Sequence, residues 1–145
     1  MGYAADCALR HAQALAGYLH NCSSTYIVHI ALKELGIPSG SEGFLFAKQA
    51  ILILCKNHAQ TLTNGVYDSV GKLSNPPFDE NAVECAIRRA IKRAWENRDE
   101  KIWRCYFPAE NDGRISCPST RTFLFAVIDF VTLWKVLCEE GTYGK

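Results

Sequence analysis

A chain of 145 residues has the size of one domain, and a content of 48% apolar and 11% aromatic residues supplies one buried core, which excludes disorder as the main state. With 16 Lys and Arg against 15 Asp and Glu, a net charge of +1, overall charge is excluded as a source of attraction for nucleic acid, and any such attraction must come from clustering. The longest apolar run, Phe123 to Leu133, is interrupted by Asp129 and falls well short of the roughly 18–20 residues that span a bilayer, so a soluble, cytoplasmic chain with no membrane partner is expected. The N-terminal residues Met1 to Asp6 lack the basic-then-apolar layout of a secretory signal. Seven cysteines with no C-x-x-C pair fit small half-buried thiols better than a disulfide framework or a zinc knuckle.

Along the chain, Asp6 to His20 is rich in Ala and Leu and reads as a helix. Ser23 or Ser24 can cap a second helix, which carries Tyr26, Ile27, Ile30, Ala31 and Leu35 at helical spacing and stops at Gly36 before Pro38. After the turn marked by Gly40 and Gly43, the residues Phe44, Ala47, Ala50, Ile51 and Leu54 predict a buried helix to about His58. Thr61 to Leu73 carries only a narrow stripe of Leu62, Val66, Val70 and Leu73, with Gly65 and Gly71 inside it, and predicts a short helix. Ser74-Asn75-Pro76-Pro77 then breaks any helix, because proline lacks the amide donor and biases the residue before it to extended conformations.

The most regular amphipathic pattern follows. Asp79 is placed as an N-cap, and Val83, Ala86, Ile87, Ala90, Ile91, Ala94 and Trp95 recur at intervals of three and one. Glu100 to Phe107 predicts one or two helical turns, and Pro108 to Pro118 a loop. Ser119 caps a last helix that is apolar nearly all round. No strand pattern competes, so the expected fold is all-α: a compact bundle of about six or seven helices containing a helix-turn-helix. The expected organisation is an extra N-terminal helix over 1–22, one domain over 23–139 and a tail over 140–145.

On the helix from Asp79, at about 100° per residue, the apolar side chains gather on one side and Asn81, Cys85, Arg88, Arg89 and Lys92 on the other, with Glu84 and Arg93 at the flanks. Four of the six residues from Arg88 to Arg93 are basic in an otherwise neutral chain. A short helix, a turn and a helix with one apolar and one Arg/Lys/Asn face is the outline of helix-turn-helix DNA binding. The residue types suit a major groove: Arg donates two parallel bonds to guanine, Asn reads adenine, Glu accepts from cytosine, and Lys at the margins neutralises phosphate. The bland alternative is a solvated polar face.

The blocks Leu35-Gly36-Ile37-Pro38, Gly43-Phe44-Leu45-Phe46, Lys48-Gln49-Ala50-Ile51, Val83-Glu84-Cys85-Ala86-Ile87-Arg88-Arg89-Ala90-Ile91, Ala94-Trp95 and Pro118-Ser119-Thr120 with Phe123 occur in this order. Together they resemble the C-terminal DNA-binding domains of the stage zero sporulation protein A family of bacterial sporulation regulators, over about Tyr26 to Leu133. The resemblance implies a six-helix effector domain that binds double-stranded operator boxes as tandem dimers and regulates transcription with RNA polymerase. It also implies that Glu84, Arg88 and Arg89 face the major groove, with Asn81 at the N-terminal end of the recognition helix. Arg89 stands where the family usually has His, keeping a donor and adding permanent charge. Cys85 stands where the family typically has Arg, which removes one guanine-holding fork, an expected loss of about 1–3 kcal/mol of base discrimination. The turn Ser74 to Phe78 is about two residues longer than the family's. The family's regulators carry an α/β receiver domain, and no such pattern precedes Ser23, so phosphorylation within this chain is not the expected switch.

No nucleophile-base spacing or phosphate loop points to an enzyme. His20, Cys22 and His29 lack the second half of a tetrahedral site, so neither metal nor other cofactor is expected. Cys85, beside Arg88 and Glu84, is a candidate redox-sensitive thiol. The competing function is a protein-interaction module that keeps the fold but pairs with a regulator, a polymerase subunit or itself. In the last helix Phe125, Phe130 and Trp134 exceed a single stripe, which leaves either deep burial or a subunit contact.

Overall fold

The computed structural model describes residues 9–14, 23–56, 62–107, 109 and 113–140. Residues 9–14 are helical; the remainder of the helix expected over Asp6 to His20 lies outside the described residues, as do most of the tail and Pro108. Six α-helices follow: α1 (Ser24–Glu34), α2 (Glu42–Lys56), α3 (Asp68–Lys72, entered directly from a π-helical stretch Leu62–Tyr67), α4 (Glu80–Glu96), α5 (Glu100–Tyr106) and α6 (Thr120–Glu140). No strand occurs among the described residues, and the all-α expectation holds.

Local chemistry sets the boundaries. The Ser23 hydroxyl accepts from the Tyr26 N–H at 3.3 Å, and the far end of α1 closes by Gly36 N–H to Lys33 O and Ile37 N–H to Leu32 O, the paired bonds that end many helices. Ser41 caps α2, accepting from the Phe44 N–H at 3.1 Å, so α2 begins ahead of the expected Phe44. Asp79 caps α4 by accepting from the Ala82 N–H at 2.8 Å, and Asp99 caps α5 from the Lys101 N–H at 3.0 Å; each such bond satisfies an otherwise orphaned donor.

Of the stripe predicted on α4, Val83, Ile87, Ala90, Ile91 and Ala94 are buried, while Ala86 and Trp95 are half-buried against the same core, each large aliphatic side chain contributing about 1.5–3 kcal/mol. They meet α2, the π-helical stretch, α3 and α6. α2 is the hub, touching α1, α3, α4 and α6. Its entry is tight: a Cβ on Gly43 would lie 2.5 Å from the Ala86 carbonyl oxygen and 2.6 Å from Ala90 Cβ, so α2 and α4 are in backbone contact there. α6 runs through the domain with Phe123, Leu124, Val127, Phe130, Val131 and Trp134 buried. Deep burial is therefore the outcome for Phe130 and Trp134, while Phe125 is half-buried; the helix carries more apolar side chains than a single stripe because α1, α2, α4 and α5 all pack on it.

A second lock ties α5 to α1 and to the N-terminal helix. Trp103, fully buried, donates its indole N–H to Leu35 O at 3.0 Å and stacks on Phe107. Tyr106 donates its hydroxyl to Glu34 Oε1 at 2.5 Å, and His11 Nε2 reaches the same oxygen at 2.5 Å, while Ala12 is sealed in the core. Burial, then the Glu34 carboxylate and its hydrogen bond, push the Tyr106 hydroxyl well above its usual range.

Two outcomes follow. Gly43→Ala should destabilise the fold by about 1–3 kcal/mol or more, read as a lowered midpoint in urea. Because the Tyr106 pKa is raised on folding, its contribution is complete below the ordinary tyrosine value near 10 and is lost as pH rises beyond it; Tyr106→Phe should cost about 1 kcal/mol at neutral pH and flatten the fall in melting temperature above pH 10.

Candidate nucleic-acid interface

The helix that carries the basic cluster is positioned from both ends. At its start, Gly71 O accepts from the Ser74 N–H at 3.3 Å and the Phe78 N–H at 3.0 Å, so the Leu73 to Asp79 turn folds back on the end of α3. A Cβ at Gly71 would collide with the Phe78 carbonyl and press on Val83; glycine is what lets the turn lie against the preceding helix. The Asn75–Pro76 peptide is cis. The π-helical stretch and α3, this turn and α4 form the helix-turn-helix outline, with Phe78 edge-on to Phe46 at 5.5 Å holding the turn to α2. At its far end, Arg98 places its guanidinium 3.5 Å from the Trp95 ring centroid and donates to Trp95 O at 2.8 Å, fixing the corner into α5.

Between these anchors α4 presents Asn81, Arg88, Arg89, Lys92 and Arg93 as exposed side chains, and Cys85 and Glu84 as half-buried ones. Six of the seven candidate residues divide into two groups, and Asn81 stands apart, exposed near the start of α4. Arg89, Lys92 and Arg93 make no side-chain ion pair or hydrogen bond among the described residues and are unspent cations. Arg89 and Arg93 line a hollow of about 280 Å³ whose opposite wall is Pro38, Ser41, Glu42 and Gly43. This exists because Gly43 brings the tip of α2 against Ala86 and Ala90.

Glu84, Cys85 and Arg88 form the other group, bound to one another. Arg88 Nη1 pairs with Glu84 Oε2 at 3.2 Å, and Arg88 Nη2 donates to Cys85 Sγ at 3.3 Å. The remaining Glu84 oxygen, Oε1, accepts from the buried Thr120 hydroxyl at 3.2 Å. Glu84 therefore joins α4 to the first turn of α6 while it holds Arg88. Burial first, and the Glu84 carboxylate second, push the Tyr67 hydroxyl up to about 12, against the opposing cation of Arg121. Sequence periodicity put Glu84 on the flank of the basic face but contained no sign of Thr120 as its partner. The nearest signal was the Pro118-Ser119-Thr120 block, whose Ser119 caps α6 by accepting from the Thr122 N–H at 3.2 Å.

Chemically this surface donates. It offers guanidinium and ammonium groups on a ridge about one helix wide, suited to phosphates and to guanine edges. Among the described residues no group of three His, Cys, Asp or Glu side chains is placed to hold a metal ion, and no helix is long and apolar enough to cross a membrane. His29, weighed as a ligand, lies against the rings of Tyr26 and Phe44; His20 and Cys22 lie outside the described residues.

The junction makes its own prediction. Glu84→Ala should leave the buried Thr120 hydroxyl without its acceptor and cost about 1–3 kcal/mol. Glu84→Gln keeps an acceptor for Thr120 and loses only a partly exposed ion pair, so its melting temperature should stay close to that of the parent. Equal losses in the two variants by calorimetry would show that the Thr120 bond carries no weight.

Residues 28–131, which span α4 with its turn and most of α1 and α6, match the model of the family described as sporulation initiation factor Spo0A, C terminal. That family is one of DNA-binding effector domains and not of enzymes. With the match covering most of the sequence and the all-helical fold agreeing with it, the chain belongs to the Spo0A C-terminal family.

Proposed function

We propose that this chain is a sequence-preferring DNA-binding transcriptional regulator that lays α4, from Asp79 to Glu96, in the major groove. The observation that carries the reading is the set of unspent cations, Arg89, Lys92 and Arg93, on the exposed side of a helix whose opposite side packs on the core. Family membership supplies the ligand class. In this reading Arg88 donates to a guanine with its orientation set by Glu84 and Cys85, Asn81 meets a base near the start of the helix, and Lys92 and Arg93 neutralise phosphates. Cys85 contributes a single weak acceptor where a second guanidinium would double the guanine contacts, so discrimination rests on fewer groups. Double-stranded DNA is the partner, with pairing of two copies on tandem boxes and contact to RNA polymerase as extensions of the same proposal, and the cytoplasm as the site of action.

A protein-interaction role is the second reading, and one observation favours it. Half-buried Phe125 and Leu133 line a groove of about 480 Å³ between α5 and α6, with Arg121 and Asp129 at its rim. That arrangement suits a partner side chain as well as solvent.

Fluorescence anisotropy separates the two readings, using a labelled duplex with the family's operator box and a scrambled duplex at two salt concentrations. DNA reading predicts at least about tenfold tighter binding to the operator, weakening as salt rises. Arg88→Ala should lower the preference, and Arg89→Ala should weaken binding to both duplexes. Equal, negligible binding to the two duplexes, followed by failure to enrich any sequence from a random duplex pool, would leave the interaction module as the function.

A further inference from the structure

The hollow beside Arg89 and Arg93 does not end at the tip of α2. Ser41 and Glu42, which form its wall, are also the wall of a second concavity of about 370 Å³, closed on the far side by His29 of α1 and by Leu45 and Lys48 of α2. Only the Ser41–Glu42 saddle separates the two, because at Gly43 there is no side chain to hold α2 away from α4.

This second concavity has its own positive charge. Partial burial, then the ammonium groups of Lys48 and Lys33, hold the His29 imidazole below its ordinary range, and His29 and Lys48 both line the concavity. Neither lysine has an ion-pair partner among the described residues. Leu45 in its lining is 49% exposed, and the Tyr26 ring, 46% exposed, lies parallel to that of His29 at 6.5 Å. A helix with its side chains is about 10–12 Å across and fills a major groove about 12 Å wide, so an element touching the side of an inserted helix meets the phosphates that border the groove. The tip of α2 is that element on the Arg89 and Arg93 side of α4.

We propose that the concavity lined by His29, Leu45 and Lys48 is a second DNA contact, a phosphate-backbone site for the strand flanking the inserted α4, reached across the Ser41–Glu42 saddle from Arg89 and Arg93. The proposal rests on the reading of α4 as the recognition helix and names what binds beside it. Lys48 neutralises a phosphate, His29 offers a ring nitrogen, and Tyr26 and Leu45 cover the sugar. Glu42 sits on the saddle with a charge that opposes the passing strand, so its removal should strengthen binding. A purely structural role for these residues predicts no such gain.

The test uses the full chain, with operator and scrambled duplexes of equal length titrated over a series of salt concentrations. Lys48→Met keeps the aliphatic stem that packs on α2, and Lys48→Arg restores the charge; melting curves confirm that each variant is folded. Lys48→Met should weaken both duplexes by a common factor of about three- to tenfold at low salt and reduce the slope of log K against log salt by about 0.9, one phosphate contact. Lys48→Arg should recover both, and Glu42→Gln should tighten both duplexes. Parental affinity and slope in Lys48→Met, while Arg89→Ala loses binding, would overturn this site and leave α4 as the reader, with an acidic protein segment then the occupant to try on the concavity. If the parent chain itself binds neither duplex, the recognition-helix reading falls, and this site falls with it.

Discussion

Much of the molecule hangs on one close approach, where Gly43 at the start of α2 lies against the Ala86 carbonyl and Ala90. Three small residues let two helices touch backbone to backbone, and the consequences run in both directions. Inward, α2 becomes the element that α1, α3, α4 and α6 all pack on. Outward, the tip of α2 comes to the edge of the basic face and forms the wall of the hollow that Arg89 and Arg93 line. A larger residue at position 43 would push α4 away from its support and widen the hollow at once, so stability and the shape of the interface are the same constraint there.

Within α4 the polar face is not uniform. Arg88 is restrained by Glu84 and Cys85, while Arg89, Lys92 and Arg93 remain unspent. Restraint lowers the entropy lost when a guanidinium docks on a base edge, yet it also means that a bond to Glu84 competes with the bond to DNA. Unspent cations have no such competitor, and they contribute salt-dependent affinity with little sequence information. An arginine at position 85 would shift this balance towards base reading. A cysteine there supplies a soft acceptor to Arg88 in place of a second guanine fork.

The N-terminal helix is tied to the domain by chemistry and not by proximity alone. His11 and Tyr106 meet on one oxygen of Glu34, and both rings lie against that of Phe130. That small polar cluster on the edge of an aromatic core links α1, α5, α6 and residues 9–14. It accounts for the charged Glu34 in the last turn of a helix whose neighbours Leu32 and Leu35 are fully buried.

The sequence determined the helices, their caps and the polarity of α4. Ser23, Asp79 and Ser119 each stand at a predicted cap and each make the bond, and the alternation of threes and ones from Val83 to Trp95 becomes the buried stripe, because capping and amphipathic spacing are local properties of the chain. The blocks from Leu35 to Phe123 carried the family as well, since residue identities and their order were sufficient for that. Tertiary structure alone decided what α4 faces. Thr120 meets Glu84 across thirty-six positions of sequence, Trp103 reaches Leu35 across sixty-eight, and the saddle between Arg93 and Lys48 arises from a glycine whose role was invisible until a carbonyl lay beside it. Periodicity reports which side of a helix is apolar, and it contains no term for the element that will cover that side. The π-helical entry to α3 and the burial of Phe130 and Trp134 were closed to sequence for the same reason: both depend on how many neighbours surround a helix, a quantity fixed only when the chain has packed.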